Sequence, residues 1–338
     1  MSTLLARLRL VVAALSLVVV AAAAVPAAAQ QPTSVNPTAS SVKEDQLLRE
    51  MQRIQGRGTI PDAKSYVLEQ PAGRSWREFH EGTLPRLGTI TIVGMFVLLV
   101  VFYLWRGSVK LEGGRSGRKI VRFNGFERFV HWMTASCFIV LGLTGLNITF
   151  GRALLLPVLG ADAFSAWSQW AKYAHNFLSF PFTLGVVVIF LMWIAWQMPT
   201  AADARWLAAG GGIVGENRHL PAGRFNAGQK IFYWIVVLGG ATVAATGYLM
   251  MFPFYLTDIS GMQTAQMIHA AAAVLFVAVM LAHIYIGTIG MEGAFEGMGT
   301  GEVDLNWAKQ HHPVWVDEQE TKSQRAARMG QPMGRPAE

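Results

Sequence analysis

The sequence predicts an all-α integral membrane protein, and three observations carry that reading. Five apolar runs of bilayer length occupy the stretch from 87 to 290. Charged residues make up only 14% of the chain, about half the fraction usual for a soluble domain. Mean hydropathy is +0.34. The basic residues gather in alternate connections between the runs, which is how membrane proteins set their orientation.

Taken in order, residues 1–29 read as a signal peptide. Arg7 and Arg9 precede an apolar run, and Ala27-Ala28-Ala29 before Gln30 is an A-x-A-like cleavage site. An uncleaved anchor helix is the alternative, and either one exports residue 30. Residues 30–86 form an exported polar segment, rich in Pro, Gly, Gln and charge, with one short helix expected near 44–55. It reads equally as a docking segment or a solvated leader. An extra transmembrane helix follows at 87–105; it carries no histidine and is expected to pack or to meet a partner. Four further spans, at 129–150, 173–197, 229–252 and 265–290, fall in a domain running 122–290. The tail, 291–338, is polar with Gly and Pro throughout and is expected to be a cytoplasmic extension without a core.

Charge gives the orientation. The connection 106–128 holds Arg106, Lys110, Arg115, Arg118, Lys119, Arg122 and Arg128, and the connection 198–228 holds Arg205, Arg218 and Arg224. By contrast 253–264 has no Lys or Arg. The positive-inside bias puts 106–128, 198–228 and the tail in the cytoplasm, in agreement with an exported residue 30. The net charge of +7 does not mark a nucleic-acid binder, because no basic patch is interleaved with stacking aromatics. The single cysteine, Cys137, rules out a disulfide framework within the chain, a cysteine zinc cluster and covalent haem attachment through CxxCH.

Four of the eight histidines fall in or at the edges of the apolar spans: His131, His175, His269 and His283. On the predicted topology His131 and His283 lie near the cytoplasmic face, and His175 and His269 near the outer face. Each depth therefore offers two imidazoles from two different helices. Between His269 and His283 the helix rises about 21 Å and returns to within about 40° of the same face. Bis-imidazole ligation of one haem at each depth uses all four and gives a four-helix di-haem bundle. Two other readings stay open. A proton relay or transporter is one, although no Asp or Glu lies well inside spans two to five. Histidines that merely bond neighbouring helices are the other. Gly142, Gly145, Gly239, Gly240 and Gly247 suit either a porphyrin or close helix packing. His80, His219, His311 and His312 lie outside the spans and are not assigned as ligands.

Five motifs, "RFVHWMTASCFIVLGLTG" (128–145), "YAHNFLS" (173–179), "RFNAGQKIFYW" (224–234), "MIHAAAAVLFVAVMLAHIYIG" (267–287) and "WAKQHHPVW" (307–315), together resemble the gamma subunit of respiratory formate dehydrogenase, a four-helix membrane cytochrome b. The resemblance runs from about 122 to 315. It implies two b-type haems, one on His131 and His283 towards the cytoplasm and one on His175 and His269 towards the outside. It implies an iron–sulfur beta subunit and a molybdenum- or tungsten-containing alpha subunit as partners, with formate oxidised there and not in this chain. It places quinone, the electron acceptor, near Asn226 and Gln229 and close to His283. Asn226 has a second reading as the N-cap of the fourth span. Lys230, Arg122 and Arg128 are expected to face propionates of the inner haem. The cytochrome b of a hydrogenase or another molybdoenzyme is the nearest alternative, and a haem-free anchor or transporter the more distant one. The location expected is the bacterial inner membrane, with the mature N-terminus periplasmic and the C-terminus cytoplasmic.

Overall fold

A computed structural model describes residues 73–212 and 220–330. The signal peptide, the exported segment up to 72, the helix expected at 44–55, His219 and the end of the tail lie outside the described residues. Among the described residues the apolar part of the chain is α-helical. Helix α1 (Gly73–Glu78) runs through a wide turn at Phe79–Thr83 into α2 (Leu84–Arg106). Strand β1 (Lys119–Val121) precedes α3 (Gly125–Leu154), α4 (Leu156–Leu159) and α5 (Ala161–Trp193). After α6 (Ala201–Ala208) come α7 (Ala227–Met251) and α8 (Ile259–Tyr285). The described residues end in α9 (Ala294–Gly299), β2 (Glu302–Asp304), α10 (Leu305–His311) and α11 (Pro313–Gly330).

Among the described residues five helical stretches are long and apolar enough to cross a membrane, and they match the five predicted spans, falling one residue short only at 197 and 252. They overrun them at most ends. The first begins at Gly73 within the polar lead-in, and the third begins at Ala161 with Asp162 in its first turn, where a carboxylate complements the helix dipole. Local chemistry explains several starts. Asn124 Oδ1 accepts from Glu127 N while Glu127 Oε2 accepts from Asn124 N, both at 2.9 Å, a reciprocal capping box at the head of α3. The same device opens α7, where Asn226 Oδ1 accepts from Gln229 N at 2.9 Å and Gln229 Oε1 accepts from Asn226 N at 3.1 Å. Asp258 opens α8 by accepting from Gly261 N at 2.8 Å.

The chain forms two compact units, and each long helix contributes a part to both. Of the described residues, one unit comprises 73–95, Trp132–Val186 and Gly239–Ala278. Its interior holds Phe138, with Phe276 at 4.9 Å and Phe182 at 6.2 Å between ring centres. Glycines set its closest approaches: a Cβ on Gly240 would meet Val186 at 2.9 Å, and one on Gly185 would run into Thr134. The polar lead-in docks here, through a hydrogen bond from Trp76 Nε1 to Gln266 Oε1 at 2.7 Å.

Of the described residues, the other unit comprises Phe96–His131, 187–212, 220–238 and 279–330. One cluster in it buries Phe123, Val130, Ile189, Trp193, Phe225 and Tyr233. A second buries Val303, Trp307, Ala308, Trp315 and Val316. That second cluster corrects the expectation of a tail without a core. Strand β2 pairs antiparallel with β1, Lys119 opposite Asp304 and Val121 opposite Glu302, so the tail folds onto the basic connection. The motif at 307–315 supplies its core. Trp307 and Trp315 stand 5.4 and 5.2 Å from the Arg122 guanidinium, and Phe123 stands 5.1 Å from it. His312 is fully buried and completes the cage. Its Nδ1–H donates to Gly223 O at 2.8 Å and its Nε2 accepts from Arg122 Nη2 at 3.0 Å. Burial, reinforced by the Arg122 charge, holds this imidazole well below its ordinary pKa, so it is neutral and serves as an acceptor.

Candidate functional site

The site residues are the four span histidines, and the structure brings them together as two pairs. In the first unit His175 on α5 and His269 on α8 have ring centres 6.1 Å apart. In the second, His131 on α3 and His283 on α8 have ring centres 6.3 Å apart. All four side chains are half-buried. Among the described residues no group of three or more His, Cys, Asp or Glu side chains is set to hold a metal ion. Imidazoles in twos suit a metal whose remaining positions are filled by a macrocycle. Two imidazole nitrogens about 2 Å from one iron, on opposite sides, put their ring centres about 6 Å apart, so both pairs fit axial ligation of a haem.

The surroundings of the first pair fit a flat group as well. A Cβ on Gly145 would have within 4 Å only His175 Cε1, at 3.6 Å, and one on Gly247 would meet His269 Cε1 at 3.4 Å. Both glycines open room beside an imidazole. Each is preceded by a threonine. Thr144 Oγ1 lies 2.8 Å from His175 Nδ1 and 2.8 Å from Val140 O. Thr246 Oγ1 lies 3.1 Å from His269 Nδ1 and 2.6 Å from Thr242 O. The reading of the sequence picked out the glycines and missed the threonines. Their signal was the Thr-Gly dipeptide repeated inside the apolar spans, at 144–145 and 246–247.

The second pair is set differently. The Phe232 ring from α7 stacks on His283 with centres 4.1 Å apart and planes 7° from parallel. The start of α3, one turn before His131, is pinned by Glu127, 4% exposed. Its Oε1 accepts from Arg224 Nη2 at 2.6 Å and from Trp193 Nε1 at 2.7 Å. This carboxylate was not flagged from the sequence, although the Asn-x-x-Glu spacing at 124–127 was available as a capping signal.

Asn226 and Gln229 lie at the head of α7, and their side-chain oxygens are engaged in the capping box. The amide NH2 groups remain as donors. Lys230, expected to face a haem carboxylate, is engaged elsewhere: its Nζ sits 2.7 Å from Asp203 Oδ2 and donates to Met198 O at 3.1 Å. Burial acts to raise the Asp203 carboxyl, but hydrogen bonds from Lys230 and Thr200 outweigh it and hold the group below its ordinary value. Arg122 and Arg128 keep donors to offer. The N–H groups at Arg122 Nη1 and Arg128 Nε are buried without a hydrogen-bond partner. Burial, with the Arg224 charge adding and Glu127 opposing, lowers the Arg122 guanidinium to about 9, which leaves it charged at neutral pH. Gln197 is fully buried with both side-chain amide atoms unpartnered, and nothing in the sequence singled it out.

Comparison with known proteins adds two findings. The family described as prokaryotic cytochrome b561 matches residues 122–301. Among curated relatives, the nitrate-inducible formate dehydrogenase cytochrome b556(Fdn) subunit of Escherichia coli (strain K12) is 28% identical over 207 residues, 60% of this chain and 92% of the relative. The formate dehydrogenase cytochrome b556(fdo) subunit of the same organism is 29% identical over 202 residues, 59% of this chain and 92% of the relative. The formate dehydrogenase cytochrome b556 subunit of Haemophilus influenzae is 30% identical over 206 residues, 60% of this chain and 84% of the relative.

Proposed function

The chain belongs to the prokaryotic cytochrome b561 family, and from that premise we propose that it is the di-haem cytochrome b subunit of a formate dehydrogenase, delivering electrons across the bacterial inner membrane to quinone. The observation that carries the reading is the occurrence of two imidazole pairs, each about 6 Å between ring centres and each within its own unit. His131 with His283, and His175 with His269, hold one b-type haem each. When bound, the haems supply the one-electron oxidation and reduction that no side chain provides.

The chain's own contribution is to hold, orient and insulate. Gly145 and Gly247 leave space beside the first pair. Arg122 Nη1 and Arg128 Nε present buried donors for propionates on the second, while Lys230 is committed to Asp203. With the N-terminus periplasmic and the C-terminus cytoplasmic, the His175–His269 pair faces a periplasmic iron–sulfur beta subunit. Formate is oxidised in the molybdenum or tungsten alpha subunit, and no formate-oxidising site lies in this chain. Quinone is reduced on the cytoplasmic side beside His283, where the amide NH2 groups of Asn226 and Gln229 donate to a quinone carbonyl. Moving two electrons inward against about 150 mV costs about 7 kcal/mol, and proton uptake on the cytoplasmic side conserves that work as a gradient.

A reduced-minus-oxidised spectrum of the purified protein, with a pyridine haemochrome assay, tests the core of this. Two b-type haems per chain are expected, with co-purifying iron–sulfur and molybdenum- or tungsten-containing subunits. Absence of a b-type alpha band would sink it.

A further inference from the structure

The two Thr-Gly dipeptides of the first unit do more than pack. Each threonine hydroxyl has one proton and lies within hydrogen-bond reach of two carbonyls of its own helix, the nearer one turn back, and of the Nδ1 of a histidine on another helix. A carbonyl can only accept, so the hydroxyl proton goes to the nearer one, at 2.8 Å for Thr144 and 2.6 Å for Thr246. The hydroxyl oxygen is then left as an acceptor, and the Nδ1 it meets must carry a proton. His269 adds independent support. Its Nδ1 also lies 3.0 Å from Val243 O, a contact that only an N–H can make favourable.

We infer that Thr144 and Thr246 are positioning residues that fix His175 and His269 in the Nδ1–H tautomer, so that both present Nε2 as the free lone pair. The inference rests on the haem reading above but concerns the protein's own groups. It goes beyond ordinary back-bonding of threonine in a membrane helix, because the arrangement occurs twice with the same follower. The glycine after each threonine is placed against the Cε1 of the same imidazole. Threonine and glycine thus act together, one orienting the ring and the other leaving it unobstructed.

The consequence is electronic. A ligand imidazole that donates from its second nitrogen is a stronger base. Both ligands of this pair have that bond, which favours the oxidised iron and lowers the midpoint potential at this site. In the proposed direction of electron flow, such a bias favours transfer away from this site.

The test is redox potentiometry, with low-spin EPR, on Thr144→Val, Thr246→Val and the matching Thr→Ser variants of the purified complex. Each Val variant is expected to raise the potential of one haem, with its oxidised-to-reduced ratio changing about tenfold, or about 59 mV for a one-electron couple. The other haem serves as the internal reference and should not move. Serine keeps the hydroxyl and should restore the parent value. Loss of that one haem in Val but not in Ser variants also supports the inference. Unchanged potentials in the Val variants overturn it. So does loss of both haems, or a Ser variant that behaves like Val, because each indicates packing without orientation. If the parent protein has no b-type spectrum, the haem reading itself fails, and that outcome is distinct from all of these.

Discussion

The two histidine pairs have similar spacing but are built by different means, and the difference separates what tunes a ligand from what anchors it. His175 and His269 are held through their second nitrogens, whose N–H groups meet hydroxyl oxygens of threonines on α3 and α7. Their unit is closed by glycines and aromatic contacts, with Phe138 against Phe276 and Gly240 against Val186. His283 instead lies flat against Phe232, and the helix start before His131 is fixed by a buried carboxylate with three further donors around it. Threonine hydroxyls reach the imidazoles of the first unit. In the second, a buried carboxylate and an aromatic stack hold the helices that carry them.

Removing one ligand from each pair gives the largest effect. His269→Ala should abolish the haem of the first pair and leave the second, and His283→Ala should do the reverse. Each variant is expected to retain about half the haem of the parent by pyridine haemochrome, with one of two potentiometric waves missing. If His269→Ala removes both waves while the protein stays folded, the two pairs are not independent sites.

The anchoring side of the comparison is tested at Glu127. Glu127→Ala strands the Arg224 guanidinium and removes the capping oxygen of α3 at once. Breaking a buried pair by removing one partner costs about 3–5 kcal/mol. The variant should melt earlier in detergent, losing the His131–His283 haem first. Glu127→Gln keeps the capping oxygen and should cost less. Equal loss at both haems would show that the carboxylate is not local to one unit.

These two contrasts also mark how far the sequence was legible. The five spans follow from composition and length, which the bilayer constrains so strongly that few alternatives survive. The pairing of His131 with His283 and of His175 with His269 was within reach because topology sorts residues by depth. Which polar group touches a histidine was not, since that depends on helix rotation. Thr144 and Thr246 sit inside apolar runs where a hydroxyl usually satisfies only its own helix. The tail was misjudged for another reason. Its few apolar residues, Val303, Trp307, Trp315 and Val316, are too sparse to form a core alone, but they close around Arg122 contributed from nearly 200 positions earlier. A core built across such a separation leaves no local periodicity to read.

Acid should next separate the two units by a smaller margin. Asp203 and Asp304 both belong to the second unit. For Asp304 burial acts upward, but hydrogen bonds from Ser116, Asn306 and Gly117 outweigh it and hold the carboxyl below its ordinary value, as Lys230 and Thr200 do for Asp203. A carboxyl with a depressed pKa in the folded protein adds stability that is fully present above its unfolded value, about 3.9, and is lost as pH falls through the folded value. Below about pH 4 the tail and the 198–228 connection should loosen before the first unit changes. Limited proteolysis with an acid-active protease, run beside the haem spectrum, measures the order. Early loss of the His175–His269 signal would contradict it.

The finest distinction lies at Phe232. Its ring stacks on His283 with planes 7° apart, a contact worth about 0.5–1.5 kcal/mol beyond the apolar area it covers. Phe232→Leu preserves most of the volume and removes the flat face, so haem content should hold and stability should fall only slightly. Without the stacked ring the His283 imidazole loses the contact that sets the angle of its plane. The expected result is a change in the low-spin EPR signal of one haem with at most a few-fold change in its oxidised-to-reduced ratio. This differs from the change expected of Thr144→Val, where the basicity of the ligand shifts and the potential follows. If Phe232→Leu moves the potential as far as loss of a threonine hydroxyl does, stacking tunes this pair as strongly as hydrogen bonding tunes the other. The division between a tuned pair and an anchored pair would then be wrong.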